Sequence, residues 1–141
     1  MFLSEADQAR IVDAIKEAEM NTSGEIKVHI EQECPDADPL VRAKSVFEYL
    51  ALHKTVLRNG VLFYLAHGDR KFAVLGDKGI DQAVTSVFWD STKEILRNYF
   101  SRELYTDGLC EGIAEAGKQL KKHFPYQSND RNEIPDDISF G

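Results

Sequence analysis

Apolar positions along this chain fall into two rhythms that alternate from end to end. Ser4-Glu5-Ala6-Asp7 reads as a helix start, with Ser4 as N-cap and acids in the first turn. Ile11, Ile15 and Ala18, supported by Val12 and Ala14, then recur at helical spacing until Asn21-Thr22-Ser23-Gly24. From Glu25 to Glu31 the period switches to two. Ile26, Val28 and Ile30 share one face, and Lys27, His29 and Glu31 the other, as in a strand near a sheet edge with one face toward the core. Asp38-Pro39 marks a second helix as N-cap and first helical residue. Its buried stripe is Leu40, Ala43, Phe47, Leu50 and Ala51, and its end lies near Lys54.

The continuous apolar runs Gly60–Ala66 and Phe72–Leu75 predict central strands covered on both faces, joined by the hairpin-length link His67–Lys71. A third helix is expected from Ile80 to Arg97, with Ile80, Val84, Val87, Phe88 and Ile95 inward. A fourth begins near Thr106 or Asp107 and carries Leu109, Ile113, Ala116 and Leu120. After Pro125 the chain turns polar and acidic. It reads as a mostly extended or mobile tail, held by Ile134 and Ile138. The order helix, strand, helix, strand, strand, helix, helix predicts an α/β protein, a three-layer α/β/α sandwich around a small mixed sheet. Residues 1–125 form the domain and 126–141 the acidic tail.

Connectivity makes a prediction about chemistry. A helical crossover favours parallel pairing of the first two strands, and a short hairpin requires the third to be antiparallel. Three polar turns then reach one sheet edge: Thr22-Ser23-Gly24-Glu25, Arg58-Asn59-Gly60 and Gly76-Asp77-Lys78-Gly79. Oxygen ligands from Glu25, Asn59 and Asp77 suit a hard cation such as Ca²⁺ or Mg²⁺. Arg58, Lys78 and the backbone at Gly79, where the third helix starts, suit a phosphate. Gly24, Gly60, Gly76 and Gly79 permit close backbone approach or positive φ. A metal between acids and a phosphate would serve metal-assisted phosphoester hydrolysis. The same residues are also ordinary turn chemistry: Asp77 can cap the following helix, and Glu25 can pair with Arg58. The opposite edge offers a rival metal locus at Glu31, Glu33 and Asp69, with Asp36 and His67 nearby. Ligands of open α/β sheets favour that edge, at the carboxyl ends of parallel strands.

Composition narrows the partners. The 141 residues carry a net charge of −7 with no basic run, which disfavours nucleic acid and anionic membrane surfaces. No stretch approaches the ~18 continuous apolar residues of a spanning helix, and the first residues do not read as a secretory signal. A cytoplasmic protein without membrane insertion is expected, with Cys34 and Cys110 as free thiols. Ser23 has no evident triad partners, and the four histidines lack zinc spacing.

The amphipathic leading helix ending in Thr22-Ser23-Gly24-Glu25-Ile26, then Asn59-Gly60-Val61-Leu62, then Gly76-Asp77-Lys78-Gly79-Ile80, resembles the TPM domain family from Leu3 to about Phe124. That family includes a thylakoid-lumen phosphatase, a photosystem-repair protein and an acetylcholine-receptor modulator. The resemblance implies an α/β/α sandwich, a divalent-cation pocket at the loop edge and the acid phosphatase activity assigned to the plastid member. The transmembrane or Gly-rich tail of many members is not matched here, and no nucleophile aligns. Two functions follow as expectations. One is a divalent-metal-binding domain with phosphomonoesterase activity on a phosphorylated small molecule. The other is a non-catalytic regulatory or protein-interaction module whose ion only orders loops.

Overall fold

A computed structural model describes residues 2–127 and 132–141. The chain forms α1 (Glu5–Glu19), β1 (Glu25–Glu31), α2 (Pro39–Tyr49), β2 (Gly60–Ala66), β3 (Lys71–Gly76), α3 (Lys78–Ala83), α4 (Asp90–Ser101), α5 (Tyr105–Lys121) and β4 (Ser139–Phe140). It is a mixed α/β protein organised as two compact units.

One unit holds α1, α4 and α5. Ser4 caps α1 by accepting from the Asp7 amide at 3.0 Å, as its side chain predicts, and Ile11, Ile15 and Ala18 are buried. Leu109, Ile113, Ala116 and Leu120 form the buried stripe of α5. The α1 and α5 backbones approach so closely that a Cβ at Gly117 would stand 2.8 Å from Ala18 Cβ. Thr22 closes this unit: its hydroxyl donates to the Phe124 carbonyl, which also accepts from the Ser23 amide at 2.9 Å.

The other unit is built on a four-stranded sheet in the order β3-β2-β1-β4. β1 and β2 are parallel, with Glu25 opposite Gly60 and Glu31 opposite Ala66. β2 and β3 are antiparallel, with Val61 opposite Gly76. Both pairings are those that connection length dictates. Register places Leu62, Tyr64 and Ala66 on the face shared with Lys27, His29 and Glu31. There Ala43, Val46 and Phe47 of α2 join Leu52, Cys34, Ala73 and Ile134 in one apolar cluster.

Four expectations need correction. The helix foreseen over Ile80–Arg97 is two helices, α3 and α4. Val84 still bonds back to the Ile80 carbonyl, but its own backbone is extended (φ −130°, ψ 163°). Val84 and Thr85, both β-branched, precede Ser86, and all three residue types give a helix little support. Val87, expected inward, is 65% exposed. α2 stops at Tyr49, since Ala51 takes a left-handed conformation (φ 57°), and Leu40 stays exposed. β3 is an edge strand, with Lys71, Phe72 and Leu75 only half-buried. β1 has no solvent face: all seven of its residues are buried.

The C-terminal segment explains that last point. Ile134 is buried, Ile138 half-buried, and Ser139–Phe140 pair in parallel with His29–Ile30 as β4. Ile134 is thus a core residue supplied from the far end of the chain. Ile134→Ala is expected to destabilise the protein by about 2–4 kcal/mol, the cost of a large-to-small core change. Urea denaturation followed by circular dichroism measures it.

Candidate functional site

The sheet brings the starts of β1 and β2 and the end of β3 to one edge, as connectivity requires. Backbone bonds lock the arrangement. The Glu25 amide donates to the Asn59 carbonyl at 3.2 Å, and the Asp77 amide to the Gly60 carbonyl at 2.9 Å. Glu25, Asn59 and Asp77 are all buried, at 4%, 2% and 7% exposure. Among the described residues no glycine has positive φ. The left-handed residue at this edge is Arg58, at φ 50°, where a side chain is disfavoured. Gly60 and Gly79 serve close approach instead. A Cβ at Gly60 would lie 2.8 Å from the Leu52 carbonyl oxygen, and one at Gly79 would collide with the Leu57 and Arg58 carbonyls.

The two carboxylates among the candidate ligands are in different states. Asp77 receives Arg58 in a bidentate pair, Nε to Oδ2 at 2.7 Å and Nη2 to Oδ1 at 3.0 Å. Its Oδ1 also accepts from the Lys78 amide at 2.8 Å, so Asp77 does cap α3. Arg58 therefore pairs with Asp77 and not with Glu25. The Gly79 amide donates to the Arg58 carbonyl, and the Ile80 and Asp81 amides to the Asp77 carbonyl. The backbone donors proposed for a phosphate, from Lys78 onward, are thus already used within the fold. The Lys78 side chain is exposed.

Glu25 is held differently. Its Oε1 accepts from the amides of Glu133 and Ile134, at 2.5 and 2.8 Å, while its Oε2 is buried with no hydrogen-bond partner. Burial pushes this carboxyl up to about 7, against the pull of the two amides, and the nearby Glu133 carboxylate adds to the rise.

The rival locus at the opposite edge borders a cavity of ≈ 570 Å³ lined by Glu31, Glu33, Cys34, Arg42 and Asp69. Glu31 is fully engaged there. Arg42 Nε reaches Oε2 at 2.9 Å and Nη2 reaches Oε1 at 3.0 Å, the Tyr64 hydroxyl donates to Oε2, and His29 Nε2 lies 3.2 Å from Oε1. Burial alone would raise its pKa, but hydrogen bonds from Arg42, Tyr64 and His29 hold it down at about 2. Asp69 Oδ2 accepts from the Cys34 amide at 2.7 Å, and Glu33 is exposed. These carboxylates are brought to one cavity, but Glu31 offers no unclaimed oxygen. Among the described residues, no group of three or more His, Cys, Asp or Glu is placed to hold a metal.

Sequence reading missed the partners of β1. Arg42 comes from α2, and the Glu133 and Ile134 amides come from the C-terminal segment. Lys27 Nζ, 6% exposed as a side chain, donates to the Asp137 carbonyl at 2.7 Å and to its carboxylate at 2.8 Å. His29 Nδ1 meets the Ser139 hydroxyl at 2.8 Å. The neighbouring Glu31 oxygen favours the proton on Nε2, so in neutral His29 the hydroxyl donates to Nδ1. The available signal was the alternation itself, which put Lys27, His29 and Glu31 on one face, together with the acidic pair Asp136-Asp137.

A family model described as the TPM domain matches residues 1–119. The chain belongs to the TPM domain family. Among solved structures it is similar to the BA42 protein of the psychrophilic bacterium Bizionia argentinensis, determined by NMR. Identity is 43% and the TM-score 0.94, over 100% of this chain and 97% of that one. The N-terminal domain of the cg2496 protein from Corynebacterium glutamicum shares the fold at 15% identity and TM-score 0.66, over 96% of this chain and 79% of that one. Among curated proteins none matches. Among the described residues no helix is long and apolar enough to cross a membrane. Cys34 and Cys110 of this TPM domain are free thiols.

The two glutamates predict opposite pH behaviour. Glu25 binds its proton more tightly folded than unfolded, so its contribution is full below about 4.5 and is lost as pH rises through about 7. Glu31 is depressed, so its contribution is present above about 4.5 and is lost as pH falls toward 2. Burial lowers His29 despite its bond to Glu31, so His29 opposes Glu25 below pH 6.5. The urea midpoint of Glu25→Gln minus that of wild type isolates Glu25 and is expected to increase from pH 5 to pH 8. A flat difference would contradict the assignment.

Proposed function

We propose that this TPM domain binds a divalent cation at the edge formed by Glu25, Asn59 and Asp77, and that the ion orders the surrounding loops in a non-catalytic regulatory or interaction module. The observation that carries this reading is Glu25 Oε2, buried and unpartnered, on a residue whose amide donates to the Asn59 carbonyl. A buried carboxylate oxygen without a donor costs free energy that an ion would recover. Carboxylate and amide oxygens are the donor set of Ca²⁺ or Mg²⁺. One condition attaches: Arg58 holds both Asp77 oxygens and must swing away for Asp77 to face an ion. At 36% side-chain exposure, Arg58 has a path into solvent.

Metal-assisted phosphatase activity is the second reading. A partly exposed guanidinium beside the acids favours it, since Arg58 or Lys78 would balance phosphate charge. A bound ion would supply Lewis-acid polarisation of a phosphoryl oxygen. The amides of Lys78 and Gly79 being engaged, this reading relies on side chains alone.

Calcium and magnesium titrations of labelled protein test both. Amides of Gly24, Gly60 and Asp77 are expected to shift together, and Glu25→Gln or Asp77→Asn to weaken binding at least tenfold. Arg58→Gln removes the competing cation and should tighten it. Shifts confined to Glu33 and Asp69 would move the site to the other edge, and no shifts would end the cation reading. Turnover of p-nitrophenyl phosphate that depends on metal and disappears in Asp77→Ala would establish the phosphatase instead.

A further inference from the structure

The outer side of β1 does something that protection of a sheet edge does not require. Covering an edge needs only a backbone ladder, yet here the ladder is two residues long, at Ser139 and Phe140. The remaining fastening is side-chain recognition of an extended segment. Glu25 takes the successive amides of Glu133 and Ile134. The Ile134 side chain enters the apolar cluster, with its Cδ1 3.4 Å from where a Cβ of Gly60 would stand. Lys27 Nζ collects the Asp137 carbonyl and carboxylate, with the Pro135 carbonyl at 3.5 Å. His29 meets the Ser139 hydroxyl, and the Gly141 amide reaches the Ile30 carbonyl at 3.0 Å. Glu25, Lys27 and His29, alternate residues of one strand, thus read an amide pair, an acid and a hydroxyl in order, while the neighbouring apolar cluster takes the anchor Ile134.

We propose that this face and edge of β1 are a peptide-recognition surface, with residues 133–140 as the resident ligand. The external partner is an extended acidic segment that carries an apolar anchor, an aspartate three residues later and a serine two residues after that. Charge complementarity sets the acid: Lys27 is a nearly buried cation whose hydrogen bonds go to this segment. Strand addition sets the extended form, since main-chain bonds give affinity and side-chain pockets give specificity. The outward side of the resident segment is open, with Phe140 53% exposed and the Asp137 side chain 75% exposed. A partner therefore competes with an occupant that is fastened from one side. The segment's contacts are made without a cation, and the surface does not require one.

The test uses the full chain in EDTA, so its outcome is separate from that of the cation reading. An acetylated peptide with the sequence of residues 132–141 is titrated into labelled wild type and into Asp137→Ala/Ser139→Ala, which weakens the resident segment and leaves β1 intact. The peptide is expected to bind the double variant at least tenfold more tightly than wild type, shifting amides from Lys27 to Ile30. A scrambled peptide should not bind. Absence of binding to a folded double variant, or equal binding of the scrambled peptide, overturns the proposal. If the double variant does not fold, a spin-labelled peptide in excess over wild type should broaden His29 and Ile30, and no broadening overturns it. A concentration-dependent dimer that exchanges this segment assigns the edge to a second copy and overturns it as well.

Discussion

Burying a charged strand face is the constraint from which this unit of the TPM domain is arranged. Lys27, His29 and Glu31 are each about as buried as the apolar residues on the other side of β1. A charge removed from water without a partner costs several kcal/mol. Each of these side chains must therefore be met, Glu31 by Arg42 of α2 and both Lys27 and His29 by the C-terminal segment. Arg42 has to lie on the inner side of α2, which helps fix how α2 sits on the sheet. The C-terminal segment has to return to β1, because Lys27 and His29 find their hydrogen bonds there.

That requirement is satisfied unevenly, and the unevenness separates structure from chemistry. Glu25 and Glu31 lie at opposite ends of one strand face and carry the same functional group, yet their proton affinities move in opposite directions. The cause lies in the donors. Glu31 has a guanidinium, a phenol and an imidazole spread over both oxygens, whereas Glu25 has two neutral amides on a single oxygen. A carboxylate with saturated donors is a structural brace. One with a buried, unclaimed oxygen is where a further ligand changes the energy most. The rule that ligands sit at the carboxyl ends of parallel strands points to the Glu31 edge, whereas the unclaimed carboxylate oxygen lies on Glu25.

Much of this was legible in the residues, for identifiable reasons. α1, β1 and β2 follow from period and capping alone, because Ser4, the alternation of Ile26, Val28 and Ile30, and the run GVLFYLA each carry their own local signal. The candidate edge followed from connection lengths, which fix strand direction without any knowledge of packing. The break between α3 and α4 was hidden because amphipathic spacing continues through Val84 and Phe88 even though the backbone does not. The state of each candidate ligand was hidden for a different reason. Arg42 reaches Glu31 across 11 positions, and Ile134 reaches Glu25 across 109. No periodicity encodes such pairings, so the sequence shows that a carboxylate is present but not whether its charge is already spent.

Glu25 links the two proposals physically. Its Oε1 fastens the C-terminal segment through two amides, and its Oε2 is the unclaimed oxygen on which the cation proposal rests. An ion at Oε2 would keep the carboxylate ionised, against the burial that raises its proton affinity. An ionised acceptor makes stronger hydrogen bonds to backbone amides than a neutral acid does. Cation binding would thus tighten Glu25 on Glu133 and Ile134. By linkage, a seated segment would raise the affinity for the cation by the same factor. An external peptide that supplies its own amide pair to Glu25 would inherit that coupling, so ion and peptide would each favour the other. The sign of the effect follows from one carboxylate having two oxygens with separate duties.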